Sequence, residues 1–190
     1  MIPVGILLAA GRGRRFDPSG NRNKLLQPLA DGEPVVVASA RSMLAVLPKV
    51  IAVVAPDDGG VAQALRALGC EVTVCPDADE GMAQSLVHAV RQSLPEAHSW
   101  LIALGDMPRV HESTIAALSD AVSAGAVIAA PVSGGRRGNP VAFGAACLSE
   151  MLALRGDAGA RSILKRHPVT EVEVDDPGIF QDIDQPADLG

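Results

Sequence analysis

Short runs of apolar and often β-branched residues recur along the chain, separated by longer segments with helical spacing. Most of these runs are nearly continuous in hydrophobicity rather than alternating. Continuous runs are typical of parallel strands, because helices cover both faces of a parallel sheet. The runs predict strands over residues 4–8, 50–54, 71–74, 100–104 and 126–130.

The segments between these runs carry apolar residues at helical spacing and predict helices over 35–47, 61–68, 82–93 and 113–124. Strands that alternate with helices form βαβ units with right-handed crossovers. The last third departs from this alternation, with strands predicted over 140–143 and 169–174 around a helix near 148–154. We therefore expect a single domain over residues 1–190, with a three-layer α/β/α Rossmann-like fold, a mostly parallel sheet and a mixed C-terminal edge.

Composition narrows the class of partner. The 190 residues are 48% apolar, which is ample for a core, and carry a formal net charge of −6. Three Phe, one Trp and no Tyr offer no platform on which successive bases could stack. An acidic chain with few aromatic rings is not expected to bind nucleic acid, which requires clustered Lys and Arg.

Cysteines and apolar runs bear on the compartment. Cys70, Cys75 and Cys147 show neither a C-x-x-C pair nor metal-ligand spacing with His, so we interpret them as buried residues in a reducing compartment. The apolar run 1–10 lacks the basic residue that precedes the apolar part of a signal peptide, and no run reaches membrane-spanning length. We expect a cytoplasmic protein without a membrane partner.

The Gly-rich loop after the first strand, residues 9–15, lies where open parallel sheets bind their ligands. Glycines let backbone N–H groups approach an anion closely, and cationic side chains add positive charge. The cations in and after this loop are Arg12, Arg14, Arg15, Arg22 and Lys24. This composition predicts a polyphosphate site, and the alternative is a basic turn that only solubilises the edge of the sheet.

Two common phosphate motifs do not fit the loop. The dinucleotide fingerprint needs glycine at position 16, which is Phe16, and a P-loop needs Gly-Lys-Ser/Thr, whereas Lys24 lies between Asn23 and Leu25. The loop therefore indicates a different kind of nucleotide site.

Two acidic segments are candidates for holding a metal ion. Asp106 ends the fourth predicted strand and is expected to project into the same crevice. Mg²⁺ takes carboxylate oxygens together with phosphate oxygens of a substrate, so one or two acids suffice. Residues 182–189 supply further acids, although an Asp before Pro186 also fits simple helix capping.

Six elements in order along the chain carry a family resemblance. They are Leu8-Ala9-Ala10-Gly11 with Arg15-Phe16 and Lys24-Leu25-Leu26, then residues 81–86, 105–108, 138–141, 156–161 and 182–189. Together they resemble the molybdopterin nucleotidyltransferases, and most closely the molybdenum cofactor cytidylyltransferases. The resemblance implies a Rossmann-like nucleotidyltransferase fold that transfers CMP from CTP to the terminal phosphate of molybdenum-bearing molybdopterin and releases pyrophosphate.

The resemblance also implies roles for matching residues. The nucleotide would be held by Leu8, Ala9, Ala10, Gly11, Gly13 and Ser85, the last at the base or ribose. Arg15 and Lys24 would hold the triphosphate, and Asp106 with Asp184 would bind Mg²⁺. The pterin side would include Asn139, Asp157 and Arg161.

Two positions in the first loop refine this expectation. The cytidylyltransferases usually read Leu-Ala-Ala-Gly where guanylyltransferase relatives read Leu-Ala-Gly-Gly, so Ala10 favours CTP. Family members usually reach their lysine by a short stretch, whereas Asp17-Pro18-Ser19-Gly20 predicts an added turn here. Arg22 is therefore a rival of Lys24 for the phosphate contact.

An acceptor that already carries a phosphate oxyanion needs no general base, so alignment and charge neutralisation would suffice for catalysis. The four histidines, His88, His98, His111 and His167, are accordingly expected to be solvated or structural.

Three alternatives remain open from the sequence. One is a guanylyltransferase, or an enzyme acting on another phosphorylated acceptor such as a sugar or lactyl phosphate. Another is a noncatalytic carrier that delivers the molybdenum cofactor to a hydroxylase of the xanthine dehydrogenase type. A nicotinamide-dependent oxidoreductase is disfavoured by Phe16.

Overall fold

A computed structural model describes residues 1–11, 13, 15–156 and 159–190, and these residues form one eight-stranded sheet. Its strands are Val4–Leu8 (β1), Val50–Val54 (β2), Glu71–Val74 (β3), Ser99–Leu104 (β4), Ile128–Ser133 (β5), Arg136–Arg137 (β6), Val141–Gly144 (β7) and Val169–Glu173 (β8). The order is β3-β2-β1-β4-β7-β5, with β6 and β8 both paired to β5.

The first four strands are parallel, and β1 lies between β2 and β4, with Ile6 opposite Ile51 on one side and Ile102 on the other. Beyond β4 the sheet becomes mixed, because β7 runs antiparallel to both β4 and β5, while β8 runs parallel to β5. The carboxyl ends of β1 and β4 therefore lie side by side at one edge.

The helices are Val35–Leu44 (α1), Val61–Leu68 (α2), Met82–Ser93 (α3), Glu112–Ser123 (α4), Leu148–Leu152 (α5) and Arg161–Leu164 (α6). Short 3-10 helices cover Lys24–Leu26, Ala78–Glu80, Ala145–Cys147, Pro177–Phe180 and Pro186–Leu189. None of the helices within these described residues is long and apolar enough to cross a membrane.

Two hydrophobic cores lie on opposite faces of the sheet. One packs α1, α2 and α4 against strand residues such as Leu7, and the other packs α3, α5 and α6 against residues such as Ile6. Neighbouring side chains of a strand point to opposite faces, so a strand that is covered on both sides must be apolar at every position. The predicted three-layer α/β fold with a mixed C-terminal edge is confirmed.

Several boundaries differ from the predictions by one or two residues, and the first helix and β5 differ by two or three. The first helix ends at Leu44 rather than at residue 47, and β5 begins at Ile128 rather than at 126. Gly125, with a φ of +105°, ends α4 through a hydrogen bond to Val122 and so delays the strand. The two-residue β6 was not predicted, because two exposed arginines carry no hydrophobic period.

Candidate active site

A cavity of about 550 Å³ lies at the carboxyl ends of β1 and β4. Such a volume is typical of small-molecule sites. From the first half of the chain it is lined by Leu8, Ala10, Gly11, Gly13, Arg15, Phe16, Lys24 and Leu25. Its remaining lining residues are Ala78, Asp79, Gly81, Met82, Ser85, Leu104, Asp106 and Asp184. The cavity therefore brings together elements from both ends of the sequence.

The loop after β1 shapes one wall of this cavity. Gly13 has a φ of +58°, and a Cβ at that position would lie 3.0 Å from Cγ of Lys24. Glycine is needed there both for the left-handed backbone and for the passage of the lysine stem. Arg12 and Arg14, which were predicted to add charge, lie outside the described residues.

Lys24 is placed by a short 3-10 helix and reaches inward. Asn23 caps this helix by accepting a hydrogen bond from the Leu25 N–H, and its amide donates to the carbonyl of Asp58. The Lys24 side chain is only 9% exposed, and its Nζ lies 2.6 Å from Oδ2 of Asp106. A buried ammonium requires such a partner, since its desolvation is costly.

The same ammonium also binds the C-terminal segment. Its Nζ donates to the carbonyl of Ile183 at 3.0 Å and lies 3.7 Å from Oδ1 of Asp184. The Ile183 N–H in turn donates to the carbonyl of Asp106 at 2.8 Å. Lys24 and the Ile183 backbone thus hold Asp106 and Asp184 in one cluster.

Asp184 is oriented by two further groups. Arg15 Nη1 lies 2.6 Å from Asp184 Oδ2, and the Arg15 side chain is 79% exposed. The carboxylate of Asp188 accepts hydrogen bonds from the N–H groups of Gln185 and Asp184, and these bonds lower the pKa of Asp188. The turn at residues 184–188 therefore fixes the backbone from which the Asp184 carboxylate projects.

The two carboxylates suit a hard divalent cation. Oδ1 of Asp106 is buried and has no hydrogen-bond partner among the described residues, so a cation would satisfy an otherwise unpaired oxygen. Burial, followed by the charges of Asp184 and Asp106, raises the pKa of nearby Asp182. Within the described chain, no group of three or more His, Cys, Asp or Glu is arranged to hold a metal alone. The remaining ligands of such an ion would come from a substrate or from water.

The N-terminus of α3 forms the opposite wall. Gly81, with a φ of +124°, begins the helix, Met82 is exposed at the rim, and Ser85 is buried within the wall. The first N–H groups of a helix of this length carry partial positive charge, which favours an anionic ligand.

Of the residues predicted for the pterin side, Asn139 and Arg161 do not line the cavity. Asn139 donates its backbone N–H to the carbonyl of Ile179 and does not line the cavity. Arg161 is exposed at the start of α6. Gly159, two residues before Arg161, lies beside Met82 at the rim of the cavity, because a Cβ on Gly159 would lie 3.2 Å from the sulfur of Met82. Asp157 lies outside the described residues.

Two residues of the first loop also lie outside the cavity lining. Ala9 is buried beneath the loop, against Gly105, where it packs in the core. Arg22 lies beside Asp17, with 3.9 Å from its Nε to Oδ2, and its guanidinium stands 5.6 Å from the centre of the Phe16 ring. Hydrogen bonds from the Ser19 hydroxyl and the Arg22 N–H lower the pKa of Asp17. Arg22 therefore packs within the added turn, whereas Lys24 enters the cavity.

The sequence predictions missed two acidic residues, one in the wall of the cavity and one that anchors the segment leading to Asp184. Asp79 lines the cavity and belongs to the acidic segment before Gly81, which could have signalled it. Asp176 is buried and accepts hydrogen bonds from the His111 N–H, the Thr114 hydroxyl and the Gly178 N–H. It ties the segment that leads to Asp184 onto the N-terminus of α4. Its position before Pro177 is a local signal for a helix cap, and Asp176 does cap the 3-10 helix Pro177–Phe180, but this signal does not reveal the bonds from α4.

The histidines line no part of the cavity wall that the structure describes. His88 contacts the Thr73 hydroxyl, His167 contacts Glu150, and His111 lies beside Asp176. The charged groups of the cavity are therefore cations and carboxylates, which suit the binding of phosphate and metal better than a nucleophile and base.

The site combines a Gly-rich loop, a buried lysine and two carboxylates at the carboxyl edge of the sheet. This combination suits a nucleotide site of the nucleotidyltransferase type. The sequence profile of the MobA-like NTP transferase domain matches residues 5–172, and the chain belongs to this family.

Several relatives match this chain over nearly their whole length. Purine catabolism protein PucB of Bacillus subtilis (strain 168) is 29% identical over 206 residues, covering 97% of this chain and 93% of PucB. The crystal structure of Rv0371c from Mycobacterium tuberculosis H37Rv is 29% identical with a TM-score of 0.82, covering 99% of this chain and 95% of that one. A second Rv0371c structure, in complex with manganese, is 27% identical with a TM-score of 0.81 and covers 99% and 96% of the two chains. The family evidence supports a nucleotidyltransferase that binds a nucleotide.

Proposed function

We propose that this protein transfers CMP from CTP to molybdenum-bearing molybdopterin and releases pyrophosphate, with Mg²⁺ as the metal. One observation carries the proposal: the Gly-rich loop, buried Lys24 and the carboxylates of Asp106 and Asp184 meet in one cavity. This combination would provide cations for a triphosphate and oxygen ligands for a divalent metal ion.

Lys24 and Arg15 would hold the triphosphate. An ammonium has three N–H donors, and Lys24 uses two of them on Asp106 and Ile183, so the third can donate to a phosphate oxygen. Arg15 is exposed and can turn from Asp184 to the phosphates. Together with the N-terminus of α3 they would stabilise charge that develops on the departing pyrophosphate.

The reaction requires no general base from the protein. An oxygen of the acceptor's terminal phosphate forms a bond to the α-phosphorus of CTP, while the bond from that phosphorus to the pyrophosphate oxygen breaks. Asp106 and Asp184 would hold Mg²⁺, which supplies positive charge beside the reacting phosphates. The rest of the rate enhancement would come from alignment of the two substrates.

The choice of CTP and of the acceptor rests on finer features. Ala10 lines the cavity, where its methyl group would meet the nucleotide. The manganese in one Rv0371c structure supports a divalent cation. The name of PucB places that relative in purine catabolism, a setting that suits a hydroxylase of the xanthine dehydrogenase type as the recipient of the finished cofactor.

The deciding experiment measures pyrophosphate release with CTP, GTP, ATP and UTP, each with and without molybdenum-loaded molybdopterin. We expect release only when the pterin is present, and fastest with CTP. Preference for GTP would contradict the role of Ala10. Binding of the pterin without pyrophosphate release from any nucleotide would favour the noncatalytic carrier. Pyrophosphate release with another phosphorylated acceptor would show that this acceptor, rather than the pterin, is the substrate.

Asp106→Asn tests the metal ligand. The substitution keeps the shape of the side chain but removes its charge, so turnover should fall at least about 100-fold, which corresponds to about 2.7 kcal/mol of transition-state stabilisation. Asp175→Asn, an exposed change of the same kind, is the control and should retain full turnover. Full Mg²⁺-dependent turnover of Asp106→Asn would refute the assignment.

Lys24→Ala and Arg22→Ala separate the two candidate phosphate contacts. Because Lys24 enters the cavity and Arg22 packs against Phe16, Lys24→Ala should weaken CTP binding at least about tenfold and Arg22→Ala should leave it unchanged. Calorimetric titration with CTP measures the dissociation constant of each variant. Loss of affinity in Arg22→Ala alone would transfer the role to Arg22.

A further inference from the structure

The cations and carboxylates of the cavity neutralise one another in this structure. Of the four carboxylate oxygens of Asp106 and Asp184, three lie beside a cation. Lys24 Nζ is 2.6 Å from Asp106 Oδ2 and 3.7 Å from Asp184 Oδ1, while Arg15 Nη1 is 2.6 Å from Asp184 Oδ2. Only Oδ1 of Asp106 is unpartnered among the described residues.

This pairing places a positive charge where a metal ion would bind. The Lys24 ammonium stands between the two carboxylates, is almost fully buried and is tied to the Ile183 carbonyl. A divalent cation approaching Asp106 and Asp184 would meet the repulsion of Lys24, which is only weakly screened because the group is shielded from solvent.

The same two cations are those that a triphosphate would attract. Arg15 is 79% exposed on a long side chain and can turn to a phosphate at little cost, whereas Lys24 must stay close to its buried partners. A bound triphosphate would therefore withdraw Arg15 from Asp184 and offset the charge of Lys24, which leaves the carboxylate oxygens open to a metal.

We propose that Lys24 and Arg15 keep the metal site closed to a free divalent cation until a triphosphate arrives. Metal and nucleotide then bind cooperatively, and each raises the affinity for the other by the same factor. The inference rests on the proposed function, because it takes Asp106 and Asp184 as the metal ligands and the triphosphate as the anion.

The test measures binding of Mn²⁺ alone, without nucleotide, from the electron paramagnetic resonance signal of the free ion. Lys24→Met removes the central charge and keeps the length of the side chain, so Mn²⁺ affinity should rise at least about tenfold. Arg15→Met should raise it about two- to threefold, because an exposed pair is screened by solvent. Arg22→Met is the matched control and should leave the affinity unchanged, since Arg22 lies outside the cavity.

The gain in Mn²⁺ affinity must depend on the carboxylates of Asp106 and Asp184. Adding Asp106→Asn to Lys24→Met should return Mn²⁺ affinity to the wild-type level or below it. Equal Mn²⁺ affinities for wild type, Lys24→Met and Arg15→Met would overturn the inference. If a thermal melt shows that Lys24→Met does not fold, the exposed Arg15→Met decides alone: a gain supports the inference and no gain overturns it.

A separate measurement distinguishes failure of this inference from failure of the proposed function. In the presence of CTP, Asp106→Asn should weaken Mn²⁺ binding. If it does not, the metal ligands of the proposed function are wrong. If Asp106→Asn does weaken Mn²⁺ binding, but neither Lys24→Met nor Arg15→Met gains Mn²⁺ affinity, the assigned metal ligands remain. Only the inference that Lys24 and Arg15 keep the metal site closed is then refuted.

Discussion

Replacement of Asp176 by asparagine should weaken an anchor made of three hydrogen bonds to this buried carboxylate. These bonds hold the C-terminal segment against the N-terminus of α4. The buried carboxylate accepts the His111 N–H at 2.9 Å and the Thr114 hydroxyl at 2.6 Å on Oδ2, and the Gly178 N–H at 2.8 Å on Oδ1. Asparagine has the same shape but only one acceptor oxygen, so one side of the anchor must face an NH₂ group.

The size of the effect follows from these three bonds. If the amide oxygen still accepts the hydrogen bonds from His111 and Thr114, its charge is lost and each bond weakens by about 1 kcal/mol. The Gly178 N–H then loses its acceptor, which costs about 1–3 kcal/mol more for a buried donor. The expected destabilisation is about 3–5 kcal/mol, or roughly 10 °C in the melting temperature of a chain of this size.

Urea denaturation followed by circular dichroism measures this difference. Asp175→Asn is the control: its neighbouring carboxylate is exposed, and its free energy of unfolding should stay within about 0.5 kcal/mol of wild type. Thr114→Val removes one of the three bonds and should cost about 1 kcal/mol. If Asp176→Asn lowers the free energy of unfolding by less than about 1 kcal/mol, the three hydrogen bonds of Asp176 do not hold the C-terminal segment as we describe.

Two further outcomes are expected. Gly13→Ala strains a backbone at φ +58° and crowds the Lys24 stem, so CTP affinity should fall about tenfold. Calorimetry measures this affinity, and an unchanged value would show that the loop adjusts to the added methyl group. Asp188 has a pKa below its ordinary value of 3.8, so its stabilisation is complete above that value and is lost as the pH falls through the lowered one. Wild type should therefore exceed Asp188→Asn in unfolding free energy at pH 7 and approach it in acid, as urea titrations at several pH values can measure. A difference that does not depend on pH would contradict this role for Asp188.

Much of the fold is encoded in short windows of the sequence. Continuous apolar runs predicted β1, β2, β4 and β5 to within a few residues, because strands covered on both faces must be apolar throughout. The edge strand β3 is partly exposed and was predicted from its β-branched residues. The Gly-rich loop and Asp106 could also be found locally, since each directly follows such a run. The carboxyl end of a parallel strand is where this kind of fold presents its ligand-binding groups.

The contacts that assemble the site are of another kind. Lys24 binds Asp106 and the Ile183 carbonyl across sequence separations of 82 and 159 residues. The family resemblance favoured Lys24, but hydrophobic period and turn propensity did not show that Lys24 enters the cavity while Arg22 packs on Phe16. The sequence marks Asp176 as a helix cap before Pro177, but it does not show that the same carboxylate accepts hydrogen bonds from His111 and Thr114. Hydrophobic period and turn propensity act over a few residues and are visible in the sequence. Which distant charges meet depends on the path of the whole chain, because burial in the assembled core is what makes those few pairings strong.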